Sequence, residues 1–407
     1  MSTPFEGKRV LLGVSGSIAA YKAADLASKL TQAGAVVDVL MTASAGQFVT
    51  PMTFRSLTHR AVVTELFDIG SPEAVEHVAL ATAADVLVVA PATAHMIAKL
   101  ALGLADDPIS VTTLATTAPL VVAPAMDANM WENPAVQANV ATLTERGVMV
   151  VGPGSGRLAS GLQGWGRLAE TAEIMGMMAQ VLGRDGDLRG RSIVVSAGGT
   201  REPIDPVRVI ANRSSGKMGY AVAEAARDRG ACVTLVTASA LPAPAGMGVV
   251  AVETAEEMRA AVLEACAQAD ALVMAAAVAD YRPAAPSSQK IKKGPAGSSG
   301  PGSIELAHTP DILAEAPKGI VRVGFAAESG DLLANARAKL EGKQLDLIAA
   351  NDITQEGAGF GSDTNRVTLL DAASAEELPV LPKYDVAMRI LDKVAGLLAP
   401  RSMPTRT

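Results

Sequence analysis

Short apolar runs alternate with longer stretches of helical periodicity along almost the whole chain. In the first half, runs at 10–14, 36–41, 86–90, 120–123 and 148–151 are rich in valine, leucine and alanine, as expected of strands buried on both faces. Between them, residues 18–32, 72–83 and 134–146 read as helices, the first followed by Gly34. Polar or small residues gather after the strands: Ser15-Gly16-Ser17, Thr42 with Ser44 and Gly46, Pro91-Ala92-Thr93-Ala94, and Pro124-Ala125-Met126-Asp127. This alternation predicts a doubly wound parallel sheet with ligands at the carboxyl ends of its strands.

The pattern restarts at 193–196. Strands follow at 232–236, 271–277, 321–326 and 345–350, with 367–370 as an edge strand. The intervening helices are 217–229, 255–267, 331–341 and 384–398. On the first of these, Met218, Ala221, Val222 and Ala225 form the face expected against the sheet, and Ser214 or Ser215 is the expected N-cap. A polar, turn-rich segment at 183–187 separates the two patterns. The expected architecture is therefore α/β: two doubly wound, Rossmann- or flavodoxin-like parallel-sheet domains in tandem, 1–186 and 187–407. Residues 287–303, dominated by Gly, Ser and Pro, read as a mobile loop carrying Lys290, Lys292 and Lys293, and 400–407 as a disordered tail.

Composition narrows the partners. The 407 residues carry a net charge of −7 and no basic stripe, which argues against nucleic acid or an anionic membrane surface. Lys99, Asp106 and Pro124 interrupt the most apolar stretches before they could span a bilayer. The N-terminus enters a strand without a signal-peptide layout. Cys232 and Cys266 have no metal-type spacing, are both expected in the core, and suit a reducing cytoplasm.

The turns limit the ligand. GVSGSIAA, from Gly13, is not a GxGxxG fingerprint, and Asp38 lies inside its strand, so a dinucleotide dehydrogenase is disfavoured. Ser15 and Ser17 at a helix start, with Thr42 and Ser44 at the next strand end, could cradle a mononucleotide phosphate. In the second half Gly198-Gly199, a polar loop and Ser214-Ser215-Gly216 make another phosphate-friendly turn. It is not a Walker A loop, because Ala211 stands where glycine is needed and Met218 follows Lys217.

GVSGSIAAYKA, EHVALATAAD, APATAHMIAKLALGLADD, APAMDANMW and GRLASGLQGWGR, in this order over about 8–170, resemble the flavin-containing cysteine decarboxylases, specifically phosphopantothenoylcysteine decarboxylase. The resemblance implies bound FMN, with Ser15, Gly16, Ser17, Thr42, Ser44, Pro91, Ala92, Thr93 and Ala94 as its candidate contacts. It also implies homotrimers with flavin sites between protomers. The implied chemistry oxidises a thiol to a thioaldehyde so that carbon dioxide can leave, and then reduces the resulting enethiol. His77 matches the family's active-site histidine; on its own it would read as a satisfied structural residue. Three positions depart from the family pattern. Asp127 stands where an asparagine is thought to contact the substrate carboxylate, Ser160 where a cysteine is thought to donate a proton, and His95 where asparagine is usual. Either Asp127, protonated, supplies the proton and Ser160 positions water or substrate, or the final reduction is impaired and stops at the enethiol, or the flavin domain has a regulatory or binding role. A bare capping role for Asp127 stands beside both.

AGGTREPIDPVRVIANRSSGKMG, AAAVADYRP, KIKK, TPDIL, GFAAES, LDLIAAND and GFGSDTNRV, over about 191–398, resemble phosphopantothenate–cysteine ligase. That implies CTP with Mg²⁺, although CTP and ATP are not separated by the residues alone. The substrate carboxylate attacks the α-phosphate, giving an acyl-cytidylate and releasing pyrophosphate, and the amine of cysteine then displaces CMP. Lys290 matches the lysine linked to forming the acyl-nucleotide and Asn212 the asparagine linked to its conversion. Asp280 is implied as a nucleotide or Mg²⁺ contact, and Gly199, Ser214, Ser215, Phe325, Lys339 and Lys343 as phosphate or cytosine contacts. Together the two resemblances imply a cytoplasmic bifunctional enzyme of coenzyme A biosynthesis. Its substrates are 4′-phosphopantothenate, L-cysteine and CTP, and its trimeric decarboxylase units are joined by ligase dimers into a dodecamer.

Overall fold

The computed structural model describes residues 3–66, 76–292, 303–328, 331–352 and 361–398. It divides into two compact units, Ser2–Gly183 and Arg184–Thr407. The tail expected at 400–407, Lys293, and residues 72–75 of the expected helix lie outside the described residues.

In the first unit β1 (Arg9–Val14), β2 (Val36–Met41), β3 (Val62–Val63), β4 (Val86–Ala92), β5 (Leu120–Pro124) and β6 (Met149–Val150) form a parallel sheet in the order β3-β2-β1-β4-β5-β6. Its helices are α1 (Ala20–Gln32), α2 (Pro51–Thr58), α3 (Glu76–Ala83), α4 (Ala94–Leu102), α5 (Pro108–Ala115), α6 (Ala128–Trp131), α7 (Pro134–Glu145) and α8 (Thr171–Gly183). The pleat sorts the apolar residues between two cores. Val10, Leu12 and Val14 join Leu26 and Leu30 of α1, Phe54 of α2 and Met178 of α8, whereas Leu11, Leu40 and Leu87 join Met96 and Ile97 of α4, Ile109 of α5 and Leu143 of α7. Helices cover both faces, so the strands are apolar throughout rather than alternating. Between β6 and α8 an antiparallel hairpin, β7 (Gly154–Arg157) and β8 (Gln163–Arg167), stands apart from the sheet.

The second unit repeats this strand order and extends it. Its main strands are β9 (Ser192–Ala197), β12 (Cys232–Thr237), β13 (Gly248–Ala251), β14 (Ala271–Met274), β17 (Val321–Glu328), β18 (Leu347–Asp352), β20 (Val367–Leu370) and β21 (Ala375–Glu377), in the order β13-β12-β9-β14-β17-β18-β20-β21. The pairings β18–β20 and β20–β21 are antiparallel. Small two-stranded ribbons, β10 (Arg201–Pro203) with β11 (Val209–Ala211), β15 (Tyr281–Pro283) with β16 (Leu306–His308), and β19 (Thr364–Asn365) with β22 (Leu381–Pro382), decorate it. Helices α9 (Lys217–Arg227) and α13 (Lys383–Leu397) pack on one face, and α10 (Ala255–Cys266), α11 (Ile312–Glu315) and α12 (Leu332–Gly342) on the other.

Two local expectations are corrected. The N-cap of α9 is Gly216, at φ +81°, not a serine. A Cβ there would lie 2.7 Å from the Ser239 side chain, so the close approach demands glycine. Ser214 and Ser215 instead accept from the N–H groups of Gly216 and Lys217, at 3.3 and 3.4 Å. Cys232 is exposed rather than in the core, because it opens β12 before the strand enters the sheet interior. Cys266, the last residue of α10, is buried in the core, and burial pushes its thiol up to about 11.

Candidate active sites

In an open α/β sheet, ligands sit beyond the carboxyl ends of the strands where the strand order reverses, here between β1 and β4 in the first unit and between β9 and β14 in the second.

Beyond β1, Ser15 is buried; its Oγ donates to Pro91 O at 2.7 Å and accepts from the Thr93 N–H at 3.0 Å. Its hydroxyl therefore ties β1 to β4 and is turned into the protein. Pro91 and Ala92 are also buried, Ala94 is half-buried, and Thr93 caps α4 by accepting from the Met96 N–H at 3.2 Å. A Cβ on Gly16 would meet Ser44 at 2.5 Å, so only glycine lets the turns after β1 and β2 come together. The hydroxyls left at this edge are Ser17, whose Oγ accepts from the Ala19 N–H, and Thr42 with Ser44, 3.2 Å apart.

A cleft of about 620 Å³ opens beside them, lined by Ser17, Ile18, Tyr21 and Lys22, by Met126 and Asp127 after β5, and by Arg157, Ser160 and Arg167 of the hairpin. Two glycines seat the hairpin. A Cβ on Gly166 would lie 2.2 Å from Met126 O, and one on Gly164 would lie 2.9 Å from Ala128 Cβ. The Met126 N–H donates to Gly166 O at 2.9 Å. Ser160, in the loop between β7 and β8, thereby reaches Asp127 and donates to its Oδ2 at 2.5 Å. Asp127 Oδ1 accepts from the Asn129 N–H at 3.2 Å and caps α6. The capping role and the meeting with Ser160 are thus both present. His77 is half-buried on α3 and His95 exposed on α4; neither belongs to the described lining of this cleft.

In the second unit, two adjoining clefts of about 340 and 550 Å³ share Ala276, Val278, Asp280, Phe325 and Lys339. The first also takes in Asn212, Ser214, Ser215, Lys217 and Lys383, and the second Lys343. Asn212 Nδ2 donates to Val278 O at 2.9 Å, which orients its amide. Lys339 donates to Phe325 O at 3.0 Å. Lys343 pairs with Asp311 at 2.8 Å. Lys217 donates to Gly361 O and to Asp363, at 3.0 and 2.6 Å. Burial, and then the nearby charge of Lys217, push the Lys383 ammonium below the usual lysine range. Gly199 lies between these elements: a Cβ there would be 2.6 Å from Asn212 O.

Lys290 is exposed and outside the described lining of these clefts. Its segment is nonetheless tethered at Ser287 and Ile291. The side chain of Asp205 is buried and accepts from the N–H groups of Val207, Arg208 and Ile291 at 2.9, 2.9 and 3.1 Å, and from the Arg208 guanidinium. Arg208 also donates to Ile291 O at 2.7 Å, and the Ser287 N–H to Ile204 O at 2.9 Å. Hydrogen bonds from Arg208 hold the Asp205 carboxyl well below the usual range.

The family model described as Flavoprotein matches residues 1–183, and the DNA/pantothenate metabolism flavoprotein C-terminal domain matches 188–398. The coenzyme A biosynthesis bifunctional protein CoaBC of Bacillus subtilis (strain 168) is 45% identical over 398 residues, covering 96% of this chain and 97% of the relative. This chain belongs to the CoaBC family. The CoaBC of Mycobacterium tuberculosis (strain ATCC 25618 / H37Rv) is 46% identical over 416 residues, with 96% and 97% covered. Among solved structures, the C-terminal domain of a CoaBC covers 52% of this chain and 98% of its own at 38% identity and a TM-score of 0.44. A PPC decarboxylase mutant complexed with pantothenoylaminoethenethiol covers 42% and 97% at 35% identity and a TM-score of 0.39.

Within this CoaBC chain, the structure adds residues that the sequence did not single out. Lys22, Arg157 and Arg167 bring positive charge to the cleft of Asp127, and Lys217 and Lys383 bring it to the cleft of Asn212. Lys217 was visible only as a failed Walker lysine. Lys383, near the C-terminus, carried no local signal, because only the fold brings the start of α13 to the start of α9.

Proposed function

We propose that the second unit ligates L-cysteine to 4′-phosphopantothenate through an acyl-cytidylate made from CTP. The first unit then uses FMN to decarboxylate the product to 4′-phosphopantetheine, within coenzyme A biosynthesis. The observation that carries this reading is two switch-point clefts on one CoaBC chain: one ringed by lysines and hydroxyls, the other holding a carboxylate, a hydroxyl and cations beneath a hairpin.

In the second unit the N–H groups opening α9, the hydroxyls of Ser214 and Ser215, and Lys217, Lys339 and Lys383 surround the space for a triphosphate. Lys290 enters from the segment tethered to Asp205 and neutralises charge as the carboxylate attacks the α-phosphate. Asn212, oriented by Val278 O, holds the acyl-nucleotide while the amine displaces CMP. Phe325 and Lys343 frame the cytosine. Among the described residues no cluster of three or more His, Cys, Asp or Glu could hold a metal. Mg²⁺ would accordingly bind through Asp280 together with phosphate oxygens and water.

In the first unit Ser17, Thr42 and Ser44, drawn together over Gly16, fit the phosphate of FMN. Bound FMN supplies the oxidation of the thiol and the later reduction. His77 acts as base or charge stabiliser. Arg157, together with Lys22 and Arg167, which both also pair with Glu170, brings positive charge to the cleft of Asp127 and so favours entry of an anionic substrate. Asp127, with Ser160 bonded to it, delivers the final proton.

The Ser160–Asp127 bond also favours a second reading, because a hydroxyl is a weaker acid than a thiol: ligation proceeds, and the flavin unit stops at the enethiol or serves a regulatory role. Incubation with 4′-phosphopantothenate, cysteine and CTP, followed by mass analysis, decides. Phosphopantetheine supports the first reading, accumulated enethiol the second, and absence of any cysteine adduct refutes both. Among the described residues no helix is long and apolar enough to cross a membrane. A cytoplasmic location and an assembly of trimers joined by ligase dimers, up to a dodecamer, complete the proposal; light scattering tests the assembly.

A further inference from the structure

Thr200 follows the Gly198-Gly199 turn, is fully buried, and is absent from the described lining of both clefts of the second unit. Its Oγ1 accepts from the Ala279 N–H at 2.9 Å, in the segment after β14. The same peptide unit carries the Val278 carbonyl, which accepts from Asn212 Nδ2 at 2.9 Å. A peptide unit is planar, and its N–H and C=O point to opposite sides, so fixing one fixes the direction of the other. Donation by the N–H also polarises the unit and makes its oxygen a better acceptor. Backbone bonds hold the preceding residue: the Ala277 N–H donates to Gly198 O at 2.8 Å, and the Thr200 N–H to Ala277 O at 3.4 Å. The Ala279 N–H, in contrast, has no acceptor among the described residues except the Thr200 hydroxyl.

We infer that Thr200 is a positioning residue for the second ligase step, acting on Asn212 through the Val278–Ala279 peptide. This rests on the ligase reading, in which Asn212 holds the acyl-cytidylate while the neutral amine of cysteine attacks. That step forms the amide N–C bond and breaks the acyl C–O bond to CMP, which leaves with the electron pair; the amine sheds one proton to solvent. A backbone carbonyl can only accept, so it takes the Nδ2 end of Asn212 and leaves Oδ1 for the cleft. Without the Thr200 hydroxyl the buried Ala279 N–H is unsatisfied, the peptide turns to find a partner, and the Val278 oxygen swings off Asn212. Lys290, assigned to the first step, is tethered through Asp205 and Arg208 instead, so the two steps separate.

Quenched flow of the full chain with 4′-phosphopantothenate, cysteine and CTP tests the link, with pyrophosphate and CMP measured separately. Thr200→Val keeps the shape of the side chain and removes the acceptor; Thr200→Ser keeps the acceptor. Thr200→Val is expected to release pyrophosphate at a near-native rate in the first turnover and CMP roughly tenfold more slowly, the worth of about one hydrogen bond, while acyl-cytidylate builds up. Thr200→Ser is expected to restore CMP release, and Thr200→Val is expected to slow it no further in an Asn212→Asp background. If Thr200→Val fails to fold, Thr200→Cys, with a weak acceptor of similar size, carries the same comparison. A proportionate fall of pyrophosphate and CMP in a folded variant, or unchanged CMP release, overturns the inference. The side-chain amide signal of Asn212, in protein labelled with ¹⁵N at asparagine, reads the link without turnover: it is expected to shift in Thr200→Val, and an unmoved signal overturns the inference. A shifted signal in a chain whose unmodified form makes neither pyrophosphate nor CMP upholds the link and refutes the ligase reading alone.

Discussion

Replacing Gly166 with alanine tests whether the hairpin builds the first active site. The residue sits at φ +144°, and a Cβ there would lie 2.2 Å from Met126 O. An ordinary contact is more than an ångström longer, so β8 must lift from the segment after β5. Lifting breaks the 2.9 Å bond from the Met126 N–H to Gly166 O and withdraws Ser160 from Asp127. Backbone strain at such a φ costs about 1–3 kcal/mol. Each neutral hydrogen bond lost adds about 0.5–1.5 kcal/mol, and one to a charged group somewhat more. A total of about 3 kcal/mol shifts the ratio of seated to lifted hairpin by roughly a hundredfold. Hydrogen exchange reads the event at one atom, because the Met126 amide has Gly166 O as its partner. Its exchange should accelerate by roughly a hundredfold. Phosphopantothenoylcysteine should accumulate while CMP release continues. Unchanged Met126 protection, or full conversion to phosphopantetheine, would refute the role of the hairpin.

Lys290→Gln should abolish CMP formation, and Asn212→Asp should let acyl-cytidylate build up, both visible by quenched-flow chromatography; CMP release at the native rate from Lys290→Gln would exclude its assigned role. Asp205→Asn places an amide donor against the Ile291 N–H or the Arg208 guanidinium, so exchange at Ile291 should quicken and CMP formation fall while flavin content stays constant. The folded Lys383 is already pushed down by burial and by Lys217, with Asp363 the opposing charge, so it loses its proton at lower pH than an ordinary lysine. CTP favours the charged form; its affinity should therefore be highest below that pKa and fall as pH rises through it. Lys383→Gln should flatten that profile in a fluorescence titration.

The alternation of apolar runs and helical stretches determined both sheets, because strands covered on two faces must be apolar throughout and the helices between them amphipathic. The turns were legible for the same reason: polar residues and glycines cluster where strands end. Small ribbons were not legible. The β7–β8 hairpin is four and five residues of mostly glycine and polar side chains, with no apolar period to announce it. Its consequence, the contact of Ser160 with Asp127 across 33 residues, depends on two glycines fitting against another loop. Sequence could name Asp127 and Ser160 as departures, yet only the fold put them in one hydrogen bond. Charge behaves likewise. The sequence shows a lysine or arginine but not whether an acid faces it. The bond from the Ile291 N–H to the buried Asp205 carboxylate and the approach of Lys383 to Lys217 arise where segments distant in sequence converge, and tertiary structure alone decides which charges remain for a ligand.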